Sequence, residues 1–357
     1  MSRMEDKVSK QSKHYDGIDG LRAFSSIGIV LMHVLANGNY SVGGFVFERL
    51  IPSFTNLIFL FMIISGFAMC CGYYDEIVEN KIPVEKFYSK RYKKIWPFFA
   101  VLCILDILIS PSVDSLYEVF ANLTLCFGLL PNSNISVIGV GWFLGVVFVF
   151  YLVFPFVCYL LSNQRRAWFA FSVAVIFNVL CSDYFELQRT DFIYCAMFFL
   201  AGGLIYLYRK KIEILVIKYR RIVLILCVVI TMMQFVLRNS VVLIVIMFST
   251  YVIYTLGVSK KGILKNSITH FLSSISMEMY LCHMVVYRVI EKTDSIHLFG
   301  NGLVSYVTTS IITILGAIMT SIVVRWGIEK IKLLHLSKSK KFIISFFAML
   351  RKRILRY

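Results

Sequence analysis

A chain of 357 residues that is 59% hydrophobic and only 16% charged, with a mean hydropathy of +0.77, is too apolar for a water-soluble globule or a disordered segment. Its long apolar runs approach the ~20 residues that cross a bilayer, so the expected fold class is an all-α integral membrane protein embedded in lipid. The net charge of +17 would suit a nucleic-acid partner, but its position along the loops excludes one.

In chain order, residues 1–16 form a polar leader with no small-residue cleavage site, so no removable signal peptide is read there. The first span, 17–37, carries Arg22 and His33. Eleven positions at 3.6 residues per turn bring the two within about 20° of three full turns and roughly 16 Å apart in rise. They therefore share one face at two depths. Ionisable side chains in a span are costly and usually face the bundle interior or a watery cavity. Two plainer readings stay open: Arg22 snorkelling to headgroups, and a neutral His33 making an interhelical hydrogen bond. Asp19 is placed to act as an N-cap, or to pair with Arg22 one turn on.

Nine more spans are expected, over 53–73, 95–111, 137–161, 167–182, 190–208, 221–237, 240–258, 270–290 and 301–327. The stretch 112–136 reads as re-entrant or interfacial. Between the second and third spans, KIPVEKFYSKRYKKIWPFF places Lys90, Arg91, Lys93 and Lys94 just ahead of lipid. Such a cluster sets topology and binds headgroups, or cradles the phosphates of a donor. With both termini inside, the inner segments hold 30 of the 37 Lys and Arg. That asymmetry is the positive-inside pattern and implies ten spans with cytoplasmic N- and C-termini. The chain divides into a leader (1–16), one transmembrane domain (17–328) and a basic cytoplasmic or interfacial tail (329–357), which lies on the anionic inner leaflet. The nine cysteines sit in or beside apolar segments and read as core residues. No Cys or His spacing resembles a metal site.

Five segments, in order, resemble the membrane-bound acyltransferase-3 family, whose members move acyl groups onto cell-surface glycans and related molecules. DGLRAFSSIGIVLMH is similar to its first-helix signature, with Arg22 and His33 at the basic and the essential histidine positions. FLFMIISGF matches the second-helix pattern, with Ser65, Gly66 and Phe67 at its small-residue turn. FYSKRYKKIWP resembles the basic motif, with Arg91 and Lys94 at the two arginine positions. WFLGVVFVFYLVFP resembles the segment from Trp142 to Pro155, and FLSSISMEMYLCH the late segment with Ser276, Tyr280 and His283. The resemblance covers roughly residues 16–290. Two departures stand out: Lys94 replaces an arginine and loses bidentate phosphate geometry, and Val147 stands where many relatives carry an acid.

The resemblance implies an enzyme that transfers groups other than amino-acyl groups, an O-acetyltransferase taking acetyl from cytoplasmic acyl-CoA. The acceptor is a hydroxyl of a cell-surface or lipid-linked polysaccharide, in the inner or plasma membrane of a bacterium, and other envelope polysaccharide enzymes are candidate partners. Acyl-CoA is the donor substrate, with no permanently bound cofactor and no metal. His33 and Arg22 are then the catalytic pair, with His33 acting as general base or taking the acyl group transiently. Lys90, Arg91, Lys94 and Ser65 form the donor-binding set. Asp19, Trp142, Ser276, Glu278, Tyr280 and His283 support them, the last three expected at the depth of His33. A hydrolase-like extracytoplasmic domain found in some relatives is not read here. The competing reading is a transporter or flippase of a lipid-linked or small anionic solute, in which Arg22 and His33 bind cargo and nothing covalent happens.

Overall fold

The computed structural model describes residues 15–109, 111–130, 138–237, 240–258 and 261–354, from 334 onward as backbone only. The leader before Tyr15, the bases Arg238 and Lys260, and the tail side chains from 334 lie outside the described residues. The described chain is helical, without strands. Its helices are α1 (Asp16–Asn37), α2 (Val46–Val78), α3 (Val84–Ile109), α4 (Val113–Thr124), α5 (Trp142–Leu161), α6 (Gln164–Cys181), α7 (Phe192–Lys218), α8 (Arg220–Val236), α9 (Val241–Leu256), α10 (Ser267–Ser274), α11 (Ser276–Lys292) and α12 (Leu303–Ile354).

Among the described residues, α1, α2, α5, α7 and the Leu303–Leu333 part of α12 are long and apolar enough to cross a membrane. Each of the ten expected runs falls on helix, but the other five are shorter or open on charged turns. The 112–136 stretch contains the 12-residue α4, capped reciprocally by Ser112 and Ser115; at ~1.5 Å per residue it is too short to span.

The α2–α7 seam forms the middle of the core. A Cβ at Gly66 would collide with the Phe199 carbonyl and one at Gly202 with the Ile63 carbonyl, so the glycines let two backbones touch, as small residues do between membrane helices. Phe59 stacks on Phe198 at 4.3 Å and Phe150, from α5, on Phe199 at 4.1 Å. Outside this core, α8 buries only Cys227 and Gln234 and exposes Ile225, Val229 and Met232. A helix apolar nearly all round belongs in lipid.

Three expectations need correcting. Asp19 is not an N-cap: α1 begins at Asp16 after Tyr15, and Asp19 lies inside the helix. The run 270–290 is not one helix. It breaks at Ile275, where α10, started by the Asn266 capping box, ends and α11 begins. Cys126 is exposed rather than in the core, because it follows the left-handed turn at Leu125 that ends α4.

Candidate functional site

At one end of the bundle the basic side chains of α1 and α3 converge. Arg91 lies over the Tyr73 ring at 4.4 Å and the Tyr151 ring at 5.6 Å. Lys90 approaches Tyr73 at 5.8 Å. Arg91 is therefore held by two aromatic faces, and no carboxylate among the described residues lies within ion-pair distance of it. Its buried Nε lacks a hydrogen-bond partner. Arg22 lies within electrostatic reach of Asp19 and Tyr151, and Lys94 within reach of Arg91, Arg22, Arg325 and Glu278. Cations crowded this way, with one or two acids among them, favour an arriving anion.

Asp19 spends its carboxylate at the α1–α10 joint, accepting from the Ser273 hydroxyl at 2.7 Å and meeting His270 Nδ1 at 2.9 Å. Ser276 turns back to the Ser273 carbonyl at 2.9 Å, across the break between α10 and α11. Ser65 is half-buried beside Gly66, and its hydroxyl makes no side-chain hydrogen bond to a described residue. Since it lies within an unbroken helix, the small-residue segment around it is a packing surface and not a turn of the chain.

Three turns along α1, His33 faces His283 of α11, their ring centres 5.1 Å apart. His283 is fully buried, and its Nδ1 lies 2.6 Å from the Tyr280 carbonyl. A carbonyl only accepts, so Nδ1 carries the proton and Nε2 presents a lone pair. That Nε2 is buried without a partner. A cavity of about 220 Å³ opens on His33, lined by the apolar Ile29, Met32 and Ile58 as well as by Thr55, Trp142, Arg189, Thr190 and Tyr280. At ~30 Å³ per water it has room for roughly seven waters, or for one small polar group of a substrate. The Tyr280 hydroxyl is committed, donating to the Val140 carbonyl at 2.7 Å.

The expected set thus separates into two clusters. His33, Trp142, Tyr280 and His283 come together, and so do Arg22, Arg91 and Lys94. Glu278 does not share the depth of His33: it sits in the first turn of α11, 4.0 Å from Arg325, among the basic residues. Two residues escaped the sequence reading. Arg189 precedes α7 and reaches the cavity, donating to Thr55 Oγ1 at 3.0 Å and to the Thr55 carbonyl at 2.8 Å. Asp106, buried in α3, binds Arg288 of α11 at 2.5 Å and accepts the Ile138 N–H at 3.3 Å. A lone acid inside LCILDILI was the available signal, since an ionisable residue at that depth demands a partner.

The protein-family model described as an acyltransferase domain matches residues 15–324 of this chain. An uncharacterised protein of Haemophilus influenzae is 27% identical over 152 residues, which is 38% of this chain and 59% of that protein. The chain thus spans less than two thirds of the length of that relative. No solved structure matches.

Proposed function

Because this chain belongs to the membrane-bound acyltransferase-3 family, we propose that it is an O-acyltransferase carrying acetyl from cytoplasmic acyl-CoA to a hydroxyl of a cell-surface or lipid-linked glycan. The observation that carries the reading is His33, open to a small cavity and backed by the buried His283, roughly 16 Å along one unbroken helix from Arg22. Phosphates of the donor rest among Arg22, Arg91 and Lys94, and the thin pantetheine arm reaches along α1 toward His33. The chain crosses the membrane ten times with both ends in the cytoplasm, which the distribution of Lys and Arg supports; the plasma membrane of a bacterium is the home that the family resemblance implies.

In this reading His33 takes the proton of the acceptor hydroxyl as its oxygen bonds to the acyl carbonyl carbon. The tetrahedral intermediate then collapses, the C–S bond breaks, and the departing thiolate collects the proton from His33. His283 orients the base. The two rings, 5.1 Å apart, make no hydrogen bond to each other; the free lone pair on His283 Nε2 becomes an acceptor for the His33 N–H once the His33 ring turns toward it, and that contact fixes the tautomer in which the other His33 nitrogen takes the proton. In the same tautomer His283 has no proton to give an oxyanion. The indole N–H of Trp142, on the cavity wall, is the donor suited to that charge.

The test follows labelled acetyl from acetyl-CoA into native glycan in membranes holding the wild type or His33→Ala at equal abundance. Transfer by the wild type that the variant loses is the expected result. No transfer by the wild type with native glycan present overturns the reading and favours carriage of an anionic solute without covalent change. Transfer retained by His33→Ala overturns the site.

A further inference from the structure

Arg189 is the strongest unassigned group in the molecule. It lies on the cavity that holds His33, half-buried, and its guanidinium also stands over the Phe59 ring at 5.2 Å. Thr55 takes two of its five N–H groups, one at the hydroxyl and one at the main-chain carbonyl, which fixes the plane of the fork. Among the described residues no carboxylate lies within ion-pair distance of it. The neighbouring Asp191 carboxylate accepts instead from the Gln188 N–H at 2.8 Å. A permanently charged group, set rigidly against an apolar ring and left without a counter-ion, is a standing cost that an arriving anion relieves. A planar fork with free N–H groups pairs bidentately with a carboxylate, as it does with a phosphate, and of the two the carboxylate is the anion that a sugar carries on its own carbon skeleton.

Resting on the acyltransferase reading above, we propose that Arg189 is an acceptor-recognition residue: it binds a carboxylate on the glycan, so the sugar presented to His33 belongs to the acidic class. The carboxylate docks on Arg189 and the ring lies against Trp142. A hydroxyl of that sugar, or of its neighbour, then falls to His33. Arg189 sets which sugar is held and not how fast the acyl group moves.

The test uses the full chain in phosphatidylcholine nanodiscs, with methyl glucuronide and methyl glucoside as probes that differ in one carboxylate. The readout is the Trp142 share of indole emission, defined as the part lost in Trp142→Phe. Methyl glucuronide is expected to change that emission saturably and to bind at least about tenfold tighter than methyl glucoside, the scale of a charge-assisted bidentate pair. Arg189→Gln is expected to abolish the preference, and Arg189→Lys, which keeps the charge without the fork, to retain part of it. Equal responses, no response, or a preference that survives Arg189→Gln overturns the proposal. Inorganic phosphate that displaces the glucuronide at equal concentration also overturns it, in favour of a phosphate-bearing acceptor. Acyl transfer to native glycan, measured alongside, separates the two readings. His33-dependent transfer without glucuronide preference sinks acidic-sugar recognition alone; glucuronide preference without any transfer sinks the enzyme reading alone. An Arg189→Gln variant that lowers kcat while leaving acceptor KM unchanged assigns the guanidinium to the oxyanion and overturns the recognition role.

Discussion

Asp106 and Arg288 meet at 2.5 Å between α3 and α11, with the carboxylate almost wholly buried. The second carboxylate oxygen receives the Ile138 N–H, two residues before Val140 takes the Tyr280 hydroxyl. The short segment leading into Trp142 is thus fastened at both ends, to α3 and to α11. Removing one partner of a fully buried pair costs about 3–5 kcal/mol; Arg288 keeps 27% of its side chain exposed, so the loss here falls below that range. Asp106→Ala is therefore expected to lower the melting temperature sharply in thermal unfolding of the detergent-solubilised protein. The double substitution Asp106→Leu with Arg288→Met is expected to regain much of the loss, because no charge is left unpaired. A double variant as unstable as the sum of the single ones would show that the two residues act separately.

His33→Ala is expected to lower acyl transfer by about 10²–10⁴-fold, the usual contribution of a positioned general base, with normal abundance in the membrane. His283→Ala should fall less, because the base remains and only its orientation is lost. Transfer kinetics at matched protein level compare the two; a larger loss from His283→Ala would reverse their roles.

Arg91→Ala is expected to raise the KM for acyl-CoA more than Lys94→Ala, by about 10-fold or more if one charge-assisted hydrogen bond of ~1.5–3 kcal/mol is lost. The reason is geometric: Arg91 is held between the Tyr73 and Tyr151 rings, whereas Lys94 is exposed and keeps its side-chain freedom. Equal increases would mean that both act only as surface charge, and raised salt should then erase both effects.

Gly202→Leu is expected to prevent close contact of α2 and α7, since even a Cβ there meets the Ile63 carbonyl. Overpacking typically costs about 1–3 kcal/mol, and a rigid backbone neighbour puts this site at the upper end. Folded yield and thermal stability in nanodiscs measure it, and a variant as stable as the wild type would show that the seam can open.

The helices were legible because apolar runs and loop charge are local properties, and the common face of Arg22 and His33 follows from helical period alone. The partners of those residues were not. Nothing in the spacing around Arg189 tells that a loop carries it to Thr55, since that contact joins positions far apart in the chain. Glu278 and His283 are five residues apart on α11 and belong to different clusters, because a helix climbs about 7 Å over that interval. Tyr280 shows the opposite limit: it reaches the cavity of His33 as a supporting residue should, but packing has already assigned its hydroxyl to the Val140 carbonyl.

The unbroken α1 also acts as a gauge. Since no kink or cap interrupts it between Arg22 and His33, the gap between the phosphate end and the reacting carbon cannot be adjusted by a hinge. Under the acyltransferase reading, the donor is sorted by the reach of its arm as much as by the charge it carries. One residue inserted between the two positions would lengthen the gap by only ~1.5 Å but swing His33 by about 100°, away from His283. Four residues would nearly restore its heading and leave the thioester some 6 Å short. A rigid helix therefore couples two sites that never touch, through length and phase alone.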